Sequence, residues 1–163
     1  MWLFIAFRAT RVRMPVPTSP HVGALPYDRI VANLQAVYYR APDGSEPVSD
    51  FIDGLDIRRQ VVLDNQINRL NTLTIAVPDL PFPHSSQVRG PLRELRCHFG
   101  RELYRVLYRR SAGLVVLLHI FHKSTGEVPE SEIRIAEGRW ADFKARMDAP
   151  TRKPPRAAGH DAP

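Results

Sequence analysis

The chain holds a single cysteine, Cys97, in 163 residues. One thiol forms no internal disulfide, which excludes a small disulfide-stapled scaffold, and no Cys-x-x-Cys pair offers a zinc knuckle. No apolar run approaches the ~18 residues of a membrane helix. The longest, residues 1–7, is followed by Arg8, Arg11 and Arg13. A secretory signal has the reverse order, basic residues first. The sequence has no Walker loop, no G-x-G-x-x-G, no G-x-S-x-G and no H-E-x-x-H. Nucleotide hydrolysis and nicotinamide chemistry therefore have no support. No His/Cys/Asp group has ligand spacing, so neither a metal nor another cofactor is expected. Acidic residues are the scarcer charge, 17 against 23 Lys plus Arg, for a net +6. These absences point to a cytoplasmic globular domain with a polyanionic partner and no membrane contact.

Proline is abundant, and its placement divides the chain. Residues 1–33 mix apolar, basic and proline residues without steady periodicity, and Pro15, Pro17, Pro20 and Pro26 break any helix. They read as a disordered or loosely docked extension, with Met14 as an alternative start. Residues 149–163 contain Pro150, Pro154, Pro155 and Pro163 with Arg152, Lys153 and Arg156, and read as a disordered basic tail. Residues 34–148 form the domain between them.

Within that domain, Leu34 to Arg40 suits a strand. Pro47 opens a helix whose apolar stripe is Val48, Phe51, Ile52 and Leu55. Asp56 is placed to cap a second helix carrying Leu63, Ile67, Leu70 and Leu73 at spacings of four, three and three. Pro78, Pro81 and Pro83 open a loop to Gly90. No proline occurs from Leu92 through Val128, as paired strands require. Leu92–Phe99, Leu103–Arg110 and Leu114–Phe121 read as three strands, joined by turns at Gly100-Arg101 and Ser111-Ala112-Gly113. A last helix begins at Pro129, with Ile133, Ala136, Trp140, Phe143 and Met147 on one face. The expected class is α+β: a small antiparallel sheet packed on two N-terminal helices, plus a C-terminal helix, with the helices on one face.

Strand alternation separates two faces. Leu95, Cys97 and Phe99 face one way; Glu94, Arg96 and His98 face the other. A two-residue turn at Gly100-Arg101 sets Arg96 opposite Arg105 and Cys97 opposite Tyr104. Like charges directly opposed destabilise a sheet. An anionic ligand would remove that penalty; alternatively, the arginine stems pack while their heads stay wet. From Arg89 to Lys123 there are eight Lys or Arg and two Glu, a net +6 that equals the charge of the whole chain. His119 and His122 end the third of these strands beside Lys123 and point to opposite faces. Either could move a proton near neutral pH, and either could equally be packed. Cys97 reads as structural.

Five segments carry a resemblance. Pro47-Val48-Ser49-Asp50-Phe51-Ile52-Asp53-Gly54-Leu55 resembles the "P-V-x-x-F-L-x-x-L" opening of phage-derived RelE-like proteins of the HigB type. Leu92-Arg93-Glu94-Leu95-Arg96 resembles their "L-x-E-L-R" strand, and Tyr104-Arg105-Val106-Leu107-Tyr108 their "Y-R-V-L-Y" strand. Residues Val115 through Lys123 resemble "I-V-L-L-H-x-F-x-K", and Pro129 with Glu132-Ile133 the "T-P-x-x-E-I" helix start. The resemblance spans about 37 to 147. One stretch departs from it: after Lys123, Ser124 and Glu127 stand where related sequences carry lysine, Val128 where they carry threonine, and Glu130 adds a negative charge.

The resemblance implies the RelE/ParE superfamily, toxins of type II toxin–antitoxin pairs. It implies a metal-independent endoribonuclease that cuts translated mRNA in the ribosomal A site, by attack of a ribose 2′-hydroxyl on the adjacent phosphate. On that reading Arg105, Lys123, His122 and His119 are the catalytic candidates, and Arg96, His98, Arg93 and Arg109 the RNA contacts. The implied partners are the ribosome, mRNA and a helix-turn-helix, HigA-like antitoxin that masks the basic face. A gyrase-poisoning, ParE-like toxin and an inactive phage-derived nucleic-acid-binding protein are the alternatives on the same fold.

Overall fold

The structure, a computed structural model, describes residues 33–124 and 126–161. The extension expected over residues 1–33 thus lies outside the described residues, except for Asn33, which bridges to Thr74. The described chain runs β1 (Gln35–Tyr38), α1 (Pro47–Asp53), α2 (Ile57–Asn68), a 3-10 turn (Arg69–Thr72), β2 (Ser85–Arg89), β3 (Leu92–Phe99), β4 (Glu102–Ser111), β5 (Leu114–His122) and α3 (Glu130–Met147). No helix of the described residues is long and apolar enough to cross a membrane.

Local chemistry explains most of these boundaries. Pro47 occupies the first turn of α1, where its missing N–H costs nothing. The Asp56 carboxylate accepts from the backbone N–H groups of Arg58 and Arg59 and so caps α2. Leu63, Ile67, Leu70 and Leu73 are all buried, as their spacing predicts. Gly100, at φ 60°, makes the two-residue turn between β3 and β4, and the pairing it sets is Arg96 with Arg105 and Cys97 with Tyr104.

Three expectations are corrected. The sheet is mixed, in the order β1-β5-β4-β3-β2, and β1 runs parallel to β5. The long connection between them passes through two helices and three strands, so no tight turn forces the pair antiparallel. Second, Ser85–Arg89 is a strand paired with β3 rather than part of a loop. The prolines that suggest a loop end at Pro83, and β2 starts only two residues later. Third, the helices cover both faces. Val48 and Ile52 of α1 and Leu63 and Ile67 of α2 pack with Leu95, Val106, Val115 and Leu117. Ile133, Ala136 and Phe143 of α3 pack with Leu107, Val116 and Leu118. Adjacent strand residues point to opposite sides, so the near-continuous apolar run of β5 serves both layers.

The segment expected to be a disordered basic tail follows the edge of β1. Tyr38 N–H donates to Arg156 O at 3.0 Å, and Ala158 N–H donates to Ala36 O at 2.9 Å. Ala158 is fully buried. Arg156 pairs with Glu46 at 2.7 Å, so a charge that composition assigns to solvent is spent on a fold contact.

Candidate active site

Helix α3 covers only part of its sheet face. Beyond its N-terminus lies a cleft of about 800 Å³, lined by Ser86, Arg89, Glu94, Arg96, Lys123, Glu127, Glu130 and Ile133 among others. Its floor comes from β2, β3 and the end of β5, and its wall from the first turn of α3.

Glu94 is the centre of this floor. Its side chain is 3% exposed and lies between two guanidinium groups. Arg96 Nε donates to Glu94 Oε1 at 2.8 Å, Ser86 Oγ donates to the same oxygen at 2.8 Å, and Arg105 Nε ion-pairs with Oε2 at 3.1 Å. Burial by itself raises the Glu94 pKa, but Ser86, Arg96 and Arg105 together outweigh it and hold the carboxyl below the ordinary carboxylate range. The cross-strand arginine pair is therefore neutralised from within the protein, by the residue two positions before Arg96 on the same face. The sequence left this role either to an anionic ligand or to solvated arginine heads; the alternation that set Glu94 beside Arg96 was the available signal.

Lys123 is buried at the end of β5, its backbone N–H donating to Leu103 O at 2.7 Å. Burial is the main force lowering its pKa; Glu94 opposes that, and Arg105 and Arg96 add to it. Its ammonium thus belongs to the same electrostatic cluster as Glu94 and the two arginines. Arg105 is deeper than the sequence suggests, 4% exposed, with Nη1 donating to Tyr104 O at 2.9 Å. It lies beneath the cleft rather than among its lining residues. Arg96 is the half-buried arginine that reaches the cleft.

The remaining candidates do not join this cluster. His119 is clasped by α3: an arginine can only donate, so Nδ1 accepts from Arg139 Nη1 at 2.9 Å and Nε2–H donates to Glu132 Oε2 at 2.5 Å. Burial, first, and Arg139 hold its pKa below the usual histidine value against the pull of Glu132. With both nitrogens committed, it ties β5 to α3. His122 is exposed and meets the Tyr104 ring edge-on at 5.3 Å, on the opposite sheet face. Arg93 is on that opposite face too, paired with Asp79 at 3.2 Å. Arg109 stacks on Trp140 at 4.3 Å, under α3. His98 is exposed, two residues beyond Arg96 in the same row, and is not among the residues lining the cleft. At the rim, Glu130 pairs with Arg89, so its charge is locally balanced. Among the described residues, no group of three or more His, Cys, Asp or Glu could hold a metal ion.

The residues of this cleft lie in the part of the chain that matches a known family. The model described as "Phage derived protein Gp49-like (DUF891)" matches residues 50–141. The chain belongs to that family, a family of RelE-like toxins of toxin–antitoxin systems. The matched stretch contains every cleft residue named above and leaves out β1 and the C-terminal segment. No curated protein matches the chain.

Proposed function

We propose that this chain is the HigB-type toxin of a type II toxin–antitoxin pair and acts as a ribosome-dependent endoribonuclease. The observation that carries the reading is the clustering of Arg96 and Lys123 at one open cleft, both tied electrostatically to buried Glu94. In-line attack of a 2′-hydroxyl on its neighbouring phosphate builds negative charge on the non-bridging oxygens and on the departing 5′ oxygen. Cations fixed before the reaction stabilise that charge most, because they need no reorganisation. Arg96 binds the scissile phosphate. The 2′-hydroxyl gives its proton to solvent water in the open cleft as its oxygen bonds to phosphorus. The Lys123 ammonium, with its pKa already lowered, neutralises the phosphorane, gives a proton to the leaving 5′ oxygen as the P–O5′ bond breaks, and regains one from solvent. Glu94 and Arg105 are positioning residues that hold Arg96 and Lys123 in place. The products are a 2′,3′-cyclic phosphate and a 5′-hydroxyl. The proposed partners are mRNA on the ribosome and a cognate helix-turn-helix antitoxin, and the proposed compartment is the cytoplasm, where translation occurs.

The test is induction in a bacterial host followed by mapping of mRNA 5′ ends. Wild type is expected to arrest growth and cut translated messages in frame. Arg96→Ala and Lys123→Ala are expected to lose about 10²-fold or more of the cleavage, the scale of removing one preorganised charge-stabilising donor. Growth arrest with intact messages would replace the nuclease by the gyrase-directed reading. No arrest from folded, well-expressed protein would leave only nucleic-acid binding.

A further inference from the structure

Phe82 is the most exposed large apolar side chain among the described residues, at 73%. Its position is not explained by the core, which it does not join. It is explained by Arg96. The Arg96 guanidinium lies over the Phe82 ring with Cζ 4.9 Å from the centroid. The same guanidinium is held in plane by Glu94 Oε1 and by Ser86 Oγ, the latter at 3.2 Å. Arg96 thus has its face on an aromatic ring and its edge at the cleft. The ring itself is otherwise open to water. Leaving a phenyl group in water forfeits burial energy, and here that group abuts the arginine of the cleft that is braced by buried Glu94.

We infer that Phe82 is a nucleobase-stacking platform, and that Phe82 with Arg96 forms a one-nucleotide subsite for single-stranded RNA. The inference rests on the nuclease reading and adds to it the feature that seats the substrate. A flat, exposed ring beside a fixed phosphate-binding guanidinium is what an unstacked base requires: the π face takes the base, and the arginine takes the adjoining phosphate. Stacking of this kind tolerates any base, since every base has a π face. The subsite therefore contributes affinity and register, not a strict sequence preference. Arg96 serves both functions at once, which explains why it is braced by Glu94 and Ser86 and not left as a free surface side chain.

The experiment uses an unstructured RNA oligonucleotide with 2′-O-methyl groups throughout, which removes the attacking hydroxyl, and measures binding to the full chain by anisotropy across a salt series. Phe82→Ala is expected to weaken binding about tenfold, the scale of losing one stacked base. Its salt dependence should stay as in wild type, because no phosphate contact is removed, whereas Arg96→Ala should lower the salt slope. Phe82→Leu should lose as much as Phe82→Ala, and Phe82→Trp should retain binding with its emission quenched by the RNA. Since the ring is exposed, none of the Phe82 changes should move the unfolding midpoint. Equal binding by wild type and Phe82→Ala, or full binding by Phe82→Leu, would overturn the platform while leaving the nuclease reading intact. A wild type that binds no RNA would overturn the platform as a free-RNA subsite, whereas the nuclease reading stands or falls separately on the mapping of mRNA 5′ ends.

Discussion

Replacing Glu94 by glutamine keeps the shape of the side chain and removes only its charge. Arg105, Arg96 and Lys123 are then left facing one another, two of them buried. Removing one partner of a buried ion pair costs about 3–5 kcal/mol, so Glu94→Gln is expected to lower stability by that order in urea unfolding. The pH dependence follows from the direction of the shift. The Glu94 carboxyl sits below its unfolded value, so its contribution is complete above about pH 4.3 and fades as pH falls through the lowered folded pKa. Wild type should lose stability across that acidic window, and Glu94→Gln should lose less of it. This cluster was half legible in the sequence. Alternation set Glu94 and Arg96 on one face, and the length of one turn set Arg105 across from them. Depth was not legible, because a period of two says which side a residue faces and not what later covers it. Hence Arg105 and Arg96, equal in pattern, differ in role.

At the level of elements, the turn between β4 and β5 departs from the chemistry its backbone asks for. Ser111 pairs with Leu114, which leaves Ala112 and Gly113 as the turn. It is Ala112, not the glycine, that has positive φ, at 51°. An L residue there carries a strain of about 1–2 kcal/mol, while glycine loses about 0.5–1 kcal/mol more entropy on folding. Ala112→Gly is therefore expected to stabilise the domain by about 0.5 kcal/mol net, seen as a small rise in the urea midpoint with the m-value unchanged. The elements with strong local signals, namely Pro47, the Asp56 cap, the apolar spacing of α2 and the Gly100 turn, were legible. Strand β2 was not. It is a short edge strand with a register shift at Val88, where Gln87 and Arg89 pair out of step, and it lacks both alternation and an apolar run. The parallel placement of β1 was equally hidden, since only the finished sheet decides which edge a first strand joins.

For the molecule as a whole, the C-terminal segment belongs to the fold. Cutting the chain after Thr151 would remove the Arg156 bonds to Glu46 and Ser49, both 2.7 Å, and the backbone bonds to Tyr38 and Ala36. With about 1 kcal/mol for an ordinary hydrogen bond and 1.5–3 for one to a charged group, these four sum to about 5–8 kcal/mol, and the truncation is expected to cost that order, less the entropy regained by no longer ordering the segment, in urea unfolding. Composition misleads here because proline and arginine are read as solvated, whereas Arg156 also lies over the Tyr38 ring at 4.6 Å. The position of β1 has a kinetic consequence. Gln35 meets Leu114, and Val37 meets Ala157, so the earliest strand of the domain finds its strand partners late in the chain. Contacts so distant along the chain are entropically costly to close and slow to form. The β3–β4 hairpin and the α1–α2 pair can assemble locally, whereas the pairing of β1 with β5 closes the longest loop in the sheet.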